Sequence, residues 1–177
     1  MRTASITRKT SETDITMTLN LDGSGMSSVN TGIGFFDHML KSFAKHGFFD
    51  LNVNVKGDLI VDCHHTIEDT GIVLGEAVKQ ALGDKKSIRR YGSMLLPMDE
   101  TLVMCAIDLS GRPYLNFNGS FTTDRVGYFD TEMVREFFYA VSYSAGMNLH
   151  IKQIDGDNNH HICLLYTSPS PRDAHES

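Results

Sequence analysis

Hydrophobic and polar residues alternate along several short stretches of the chain, and this pattern predicts β-strands. Residues 3–9 and 13–21 alternate around a polar turn, so they predict a hairpin that ends at a second turn, 22–25. Residues 51–55 alternate strictly and predict another strand. The second half of the chain predicts further strands at 95–96, 101–109, 112–117 and 149–151, with a turn at 111–113.

Three other stretches repeat apolar residues with helical spacing. The first runs from Asp37 to about Lys45 and is expected to end with Gly47 in the left-handed conformation. The second follows Asp62, a predicted N-cap, and stops near 83–84. The third spans 130–144, is closed by Gly146, and has an apolar face made of Met133, Val134, Phe137, Phe138 and Val141.

Together these elements read β-β-α-β-α in each half of the chain, which predicts an α+β fold built from a duplicated unit. His64 lies 26 residues after His38, and His160 lies 24 residues after Glu136. Glu136 therefore occupies in the second copy the position that His38 has in the first. We expect one compact domain with a first repeat at 1–92, a second at 93–162, and a Ser/Pro-containing tail at 163–177.

Composition narrows the class of protein. The chain has 177 residues, of which 41% are hydrophobic, so it is long enough to form a real core. Its net charge of −6 argues against nucleic acid as the main partner. No apolar run is long enough for a membrane span, and the polar N-terminus does not resemble a signal peptide. Three widely spaced cysteines predict reduced thiols in a cytoplasmic protein.

The histidine pairs are the main candidates for chemistry. His64 and Glu68 are four residues apart on a predicted helix, and His65 and Glu68 are three apart, so both pairs are neighbours on its surface. Adjacent helical residues point about 100° apart, so His64 and His65 suit two different metal ions better than one. A mixed set of imidazole and carboxylate ligands suits Mn, Fe, Zn or Ni, and the carboxylates favour Mn or Fe. Sites shared between copies would make metal part of an oligomer.

Four motifs closely resemble the imidazoleglycerol-phosphate dehydratase family, and the resemblance covers about residues 2–162. They are residues 34–40 (GFFDHML), 62–69 (DCHHTIED), 108–114 (DLSGRPY) and 159–161 (NHH). The resemblance implies a manganese-dependent enzyme of histidine biosynthesis that converts imidazole glycerol phosphate to imidazole acetol phosphate and water. It also implies a duplicated, ribosomal S5 domain 2-like fold with sheets packed over helices. The implied active form is a large homo-oligomer, a 24-mer in the family.

The same resemblance assigns roles to individual residues. Glu12, His38 and Glu68 are expected to be catalytic, and Glu12, Arg90 and Arg112 to bind substrate, the two arginines through its phosphate. Two Mn²⁺ ions on the imidazole would favour an imidazolate-type intermediate, while Glu12 shuttles a proton. The expected metal ligands are His38, His64, His65, Glu68, Glu136, His160 and His161.

The chain departs from the family pattern in two places. Many members have His where this chain has Glu136. Leu164 stands three residues after His161, where the family has a metal-binding Glu, and Pro169 and Pro171 follow it. The tail is therefore expected to be disordered or foreign sequence. Three alternatives stay open: an inactive homologue that still binds metal, a di-metal hydrolase, and a nucleic-acid-binding αβ module.

Overall fold

The computed structural model describes residues 1–158, which form two four-stranded sheets, a two-stranded ribbon and three helices. The first half contains β1 (Thr3–Lys9), β2 (Thr13–Asn20), β3 (Ser27–Asn30), α1 (Gly34–Gly47), β4 (Asp50–Gly57) and α2 (His64–Leu82). The second half contains β5 (Tyr91–Met98), β6 (Thr101–Asp108), β7 (Tyr114–Asn118), β8 (Arg125–Val126), β9 (Phe129–Asp130), α3 (Met133–Ala145) and β10 (Asn148–Asp155). The mixed α+β architecture that the sequence predicts is confirmed.

The two sheets have the same strand order. In the first sheet the order is β1-β2-β4-β3, and in the second it is β5-β6-β10-β7. In each sheet the first three strands of this order pair antiparallel, and the last strand pairs parallel with its neighbour. This correspondence matches the duplication inferred from the histidine spacing.

Register places the apolar residues of each sheet on one face. In the first sheet Met17 pairs with Val53, and its neighbours along the two strands pair as Ile15 with Val55 and Leu19 with Leu51. All six side chains are buried. The inward face packs against α2, while the Thr and Asn residues between them face outward.

Helices α2 and α3 pack against each other and connect the two halves. A Cβ atom at Gly75 would lie 2.7 Å from the carbonyl oxygen of Val141, and one at Gly71 would lie 2.9 Å from that of Phe137. The two glycines thus allow the helix backbones to approach closely. The predicted apolar face of α3 is confirmed, because all five of its residues are buried.

An aromatic cluster fills the space between α1, α3 and the β8–β9 ribbon. Phe129 of the ribbon is fully buried and lies 6.0 Å from Phe36, which also meets Phe137 edge-on at 5.4 Å. Burying a phenylalanine side chain contributes roughly 1.5–3 kcal/mol. Burial of Phe129 therefore stabilises the short ribbon more than its few backbone hydrogen bonds do.

Several sequence predictions need correction. The order in the first half is β-β-β-α-β-α, since β3 was not predicted, and β8 and β9 were also missed. Helix α1 begins at Gly34 instead of Asp37, because the Asp37 carboxylate reaches back to the backbone N–H of Thr31 at 2.8 Å and stabilises an earlier start. Phe48, and not Gly47, is left-handed at the end of α1. Gly47 is required for another reason: a Cβ there would lie 2.5 Å from the ring of Phe49.

None of the helices that the structure describes is both long and apolar enough to span a membrane.

Candidate active site

The first turn of α2 presents the histidine pair. The carboxylate of Asp62 accepts a 2.8 Å hydrogen bond from the backbone N–H of His64, the first residue of the helix. The N-cap position is occupied by Cys63, so the prediction of Asp62 as the N-cap is wrong by one residue. The two imidazole rings lie 6.1 Å apart with planes inclined by 71°. They face different directions, as expected for adjacent residues of a helix.

Each histidine has a different carboxylate partner. The Nε2 atom of His64 lies 3.5 Å from Glu68, one turn further along α2. The Nδ1 atom of His65 lies 2.9 Å from Asp58, which follows β4. The hydrogen bond to Asp58 raises the pKa of His65, and the charges of Glu12 and Asp62 raise it further. The helix start is therefore a strip of alternating imidazole and carboxylate groups.

Glu12 lies in the turn between β1 and β2, close enough to His65 for their charges to interact. The hydroxyl of Ser11 donates a 2.6 Å hydrogen bond to its carboxylate, and this contact and Thr10 lower the pKa of Glu12. The Thr10 hydroxyl also accepts hydrogen bonds from the backbone N–H groups of Glu12 and Thr13, which fixes the turn. Glu12 is therefore held ionised beside the histidine pair.

The two arginines with predicted phosphate roles surround one carboxylate. Arg90 donates two hydrogen bonds to Asp108, at 2.6 and 3.0 Å, and stacks over the ring of Tyr91. This bidentate pairing lowers the pKa of Asp108 and raises that of Arg90, and the charge of Arg112 lowers the pKa of Asp108 further. Arg112 is exposed in the turn before β7. The arrangement concentrates two exposed guanidinium groups in an otherwise acidic protein.

The remaining predicted ligands are separate from this strip or outside the described range. His38 is exposed on α1, and Glu136 on α3 is paired with Arg135 at 3.0 Å. His160 and His161 lie outside the described residues, as do Leu164 and the tail at 163–177. Within residues 1–158, no three His, Cys, Asp or Glu side chains come together as a metal-binding group.

Cys63, between Asp62 and the histidines, does not join them. Its buried thiol donates a 3.5 Å hydrogen bond to Asp130, and burial raises its pKa. Arg125, at the start of β8, is paired with the same Asp130. Neither Cys63 nor Cys105 is in a disulfide, as the sequence predicted for them.

Sequence reasoning missed two residues that organise this region, Asp58 and Asp108. Asp108 and Arg112 are both part of the 108–114 motif, so their closeness could have been predicted from the sequence. Asp58 had none, because its contact with His65 depends on the path of the loop between β4 and α2.

Known proteins similar to this chain come from one enzyme family. A family model described as imidazoleglycerol-phosphate dehydratase matches residues 31–166. The chain is 73% identical over 161 residues to the imidazoleglycerol-phosphate dehydratase of Lachnoclostridium phytofermentans, covering 91% of this chain and 82% of the relative. It is 62% identical over 157 residues to the enzyme of that name from Acetivibrio thermocellus, covering 89% of this chain and 80% of the relative.

Solved structures of the same kind of enzyme have a similar fold. The structure of imidazoleglycerol-phosphate dehydratase from Staphylococcus aureus superposes with a TM-score of 0.85 at 41% identity, covering 96% of this chain and 94% of the other. That from Pyrococcus furiosus gives 0.83 at 31% identity, covering 97% of this chain and 94% of the other.

Proposed function

The chain belongs to the imidazoleglycerol-phosphate dehydratase family, hydro-lyases of histidine biosynthesis, and we propose how its own residues carry out this activity. The reaction converts imidazole glycerol phosphate to imidazole acetol phosphate and water. The observation that supports the proposal most directly is at the start of α2, where His64 lies 3.5 Å from Glu68 and the charge of Glu12, in the β1–β2 turn, acts on the neighbouring His65.

The donor set fits two Mn²⁺ ions. Imidazole nitrogen and carboxylate oxygen are ligands that manganese accepts, and the two rings face apart, so each can serve a different ion. When bound, the ions would supply Lewis-acid stabilisation of negative charge that develops on the substrate's imidazole. His38, His64, His65, Glu68 and Glu136 are the proposed ligands, together with His160 and His161 outside the described range.

The proposed sites are completed by association of several copies. In the part of the chain that the structure describes, the candidate ligands do not form one complete group. Ligands contributed by neighbouring subunits would complete it, which is consistent with a large homo-oligomer such as the 24-mer implied by the resemblance. We place this assembly in the cytoplasm, in keeping with the reduced thiols of Cys63 and Cys105.

The remaining residues bind the substrate and move its protons. Arg112 and Arg90 provide a fork of N–H donors that matches a phosphate dianion, with Asp108 holding the Arg90 fork in place. Glu12 is ionised and hydrogen-bonded, so it can accept the proton that leaves carbon and return one to the departing hydroxyl group.

The test is turnover of imidazole glycerol phosphate by the metal-free chain with and without added Mn²⁺. His65→Ala should lower both the metal content per chain, measured by elemental analysis, and the rate. His46→Ala, which removes an exposed histidine from the last turn of α1, should change neither. Equal metal content in the wild type and His65→Ala would contradict the ligand assignment.

A second candidate function is that of a homologue that binds metal but is impaired in assembly and activity. It is supported by Leu164, which stands in the sequence where the family motif has a metal-binding Glu. A leucine side chain cannot coordinate a metal ion. If this candidate is correct, wild-type turnover is very low and Leu164→Glu raises it together with metal content. If the wild type binds metal and turns over the substrate as well as Leu164→Glu does, the first proposal holds.

A further inference from the structure

We propose that Asp58 is a positioning residue that fixes the tautomer and orientation of His65, so that the Nε2 atom of this ring is directed to a divalent metal ion. The inference rests on the proposed metal site of the dehydratase. It concerns a residue that the motif analysis did not single out. It assigns different carboxylate partners to the two adjacent histidines.

The contact itself is short and specific. Nδ1 of His65 lies 2.9 Å from Oδ2 of Asp58, within the normal range for a hydrogen bond. The Asp58 side chain is 25% exposed and that of His65 45%, so the contact lies at the protein surface with the carboxylate on the inner side. A neutral imidazole carries one N–H; donating it from Nδ1 leaves the lone pair on Nε2, the atom that then faces a ligand.

The environment of the second carboxylate oxygen indicates that Asp58 is not merely a polar surface group. Within residues 1–158, Oδ1 of Asp58 is buried and has no hydrogen-bond partner. A buried acceptor left unpaired costs about 1–3 kcal/mol, so a carboxylate used only for stability would be a poor choice here. An unpaired buried group of this kind calls for an explanation, and the hydrogen bond between the other oxygen and His65 provides one.

The backbone is built to bring Asp58 to this place. Strand β4 ends at Gly57, directly before Asp58, and Gly57 lies against the first turn of α2. A Cβ atom at position 57 would lie 2.0 Å from the hydroxyl oxygen of Thr66, the residue after His65. Any other residue at this position would force the Thr66 side chain, or the strand end, to move. The position of Asp58 relative to His65 is therefore set by packing of β4 against α2.

The neighbouring carboxylate provides a contrast. Asp62 also carries a negative charge near His65, and its charge contributes to the raised pKa of that ring. Its hydrogen bond, however, goes to the backbone N–H of His64 and not to an imidazole. Both carboxylates thus place negative charge near the His65 ring, but only Asp58 is hydrogen-bonded to it. In metal sites, a carboxylate that accepts the second N–H of a ligating histidine is typically worth 10- to 100-fold in metal affinity.

The experiment compares Asp58→Asn with Asp62→Asn in the full chain, since each removes one charge at nearly constant volume. Mn²⁺ is titrated into the metal-free proteins, and free Mn²⁺ is measured by electron paramagnetic resonance. We expect Asp58→Asn to weaken binding tenfold or more and Asp62→Asn to weaken it less than threefold. Equal losses in the two variants would show that charge alone matters and would overturn the role of Asp58.

A second measurement needs no metal. Nitrogen chemical shifts of ¹⁵N-histidine-labelled protein, recorded at alkaline pH where the ring is neutral, report which ring nitrogen of His65 carries the proton. We expect the Nδ1–H form in the wild type and a mixture in Asp58→Asn. An Nε2–H ring in the wild type would contradict the role of Asp58 alone, whereas failure of the wild type to bind Mn²⁺ would contradict the proposed metal site.

Discussion

Thr13 and Asp69, 56 residues apart in the sequence, are joined by a buried 2.5 Å hydrogen bond from the threonine hydroxyl to the carboxylate. The other oxygen of Asp69 accepts a 3.0 Å bond from the guanidinium of Arg8. Thr13 directly follows Glu12, and Asp69 directly follows Glu68. The pair therefore holds the β1–β2 turn against α2 and sets where Glu12 lies relative to the histidines.

Asp69→Asn tests this connection. The variant keeps the side-chain volume but removes the charge that binds Arg8 and Thr13, so we expect it to lower the free energy of unfolding by about 2 kcal/mol. We also expect slower turnover, because the Glu12 turn loses its attachment to α2. Urea denaturation and the dehydration assay measure the two effects.

Asp14→Asn is the matched control on the same hairpin. Asp14 is paired with Lys9 at 3.4 Å, and both side chains are well exposed. Exposed pairs of this kind contribute little, so the free energy of unfolding should change by no more than about 0.5 kcal/mol. If Asp69→Asn is as mild as this control, the turn is fixed by other contacts.

The hydrophobic pattern predicts the long strands and helices because each has an apolar face that must be buried. It fails for β3, in which Val29 is the only apolar residue and parallel pairing with β4 supplies the stability. It fails also for the two-residue strands of the ribbon, which depend on the burial of Phe129 in a distant aromatic cluster. Short elements held by tertiary contacts have too few residues to establish a period.

The candidate site divides in the same way. The neighbours His64 and Glu68 were predictable, because helical spacing alone brings them together. The partnership of His65 with Asp58 and that of Thr13 with Asp69 were not, since each connects a strand end or turn with α2. Local periodicity contains no information on how a loop returns to a helix. Motif resemblance identified the residue types of the site, and the fold determines their partners.

Gly75→Ala should destabilise the protein by about 1–3 kcal/mol, because the new methyl group meets the backbone of α3. Its Cβ would lie 2.7 Å from the Val141 carbonyl oxygen and 2.9 Å from the Ala145 nitrogen, so the two helices must separate. Gly34→Ala, at the start of α1, is the control: within the part of the chain described here, nothing lies within 4 Å of its Cβ. Thermal unfolding should show a lowered Tm for Gly75→Ala only.

Acid stability should depend on the ion pair between Arg2 and Asp22. Hydrogen bonds from Arg2 lower the pKa of Asp22 from 3.8 to about 2. Because folding weakens proton binding at this carboxyl group, its stabilising effect is complete above pH 3.8 and is lost as the pH falls towards 2.

Asp22→Asn should therefore show a smaller fall in the free energy of unfolding than the wild type between about pH 4 and pH 2. Because the side chain is partly exposed, we expect the difference to stay below about 1 kcal/mol. Urea denaturation at several pH values measures it. Parallel curves for the two proteins across this range would show that the pair does not couple folding to protons.

Recognition of the substrate phosphate should depend on the guanidinium group of Arg112 more than on the total positive charge of the protein. Asp108 engages the Arg90 fork through two hydrogen bonds, whereas Arg112 interacts with Asp108 through its charge. Loss of a charge-assisted pair costs about 1.5–3 kcal/mol, so Arg112→Ala should raise KM by about 10- to 150-fold. Arg112→Lys keeps the charge but loses the planar fork, and it should give an intermediate KM.

Lys79→Ala is the control, because it removes one positive charge from the exposed end of α2 and should leave KM unchanged. A similar KM for Arg112→Lys and the wild type would mean that the phosphate is held by charge and not by fork geometry. An unchanged KM in Arg112→Ala would contradict the role of Arg112 in holding the phosphate.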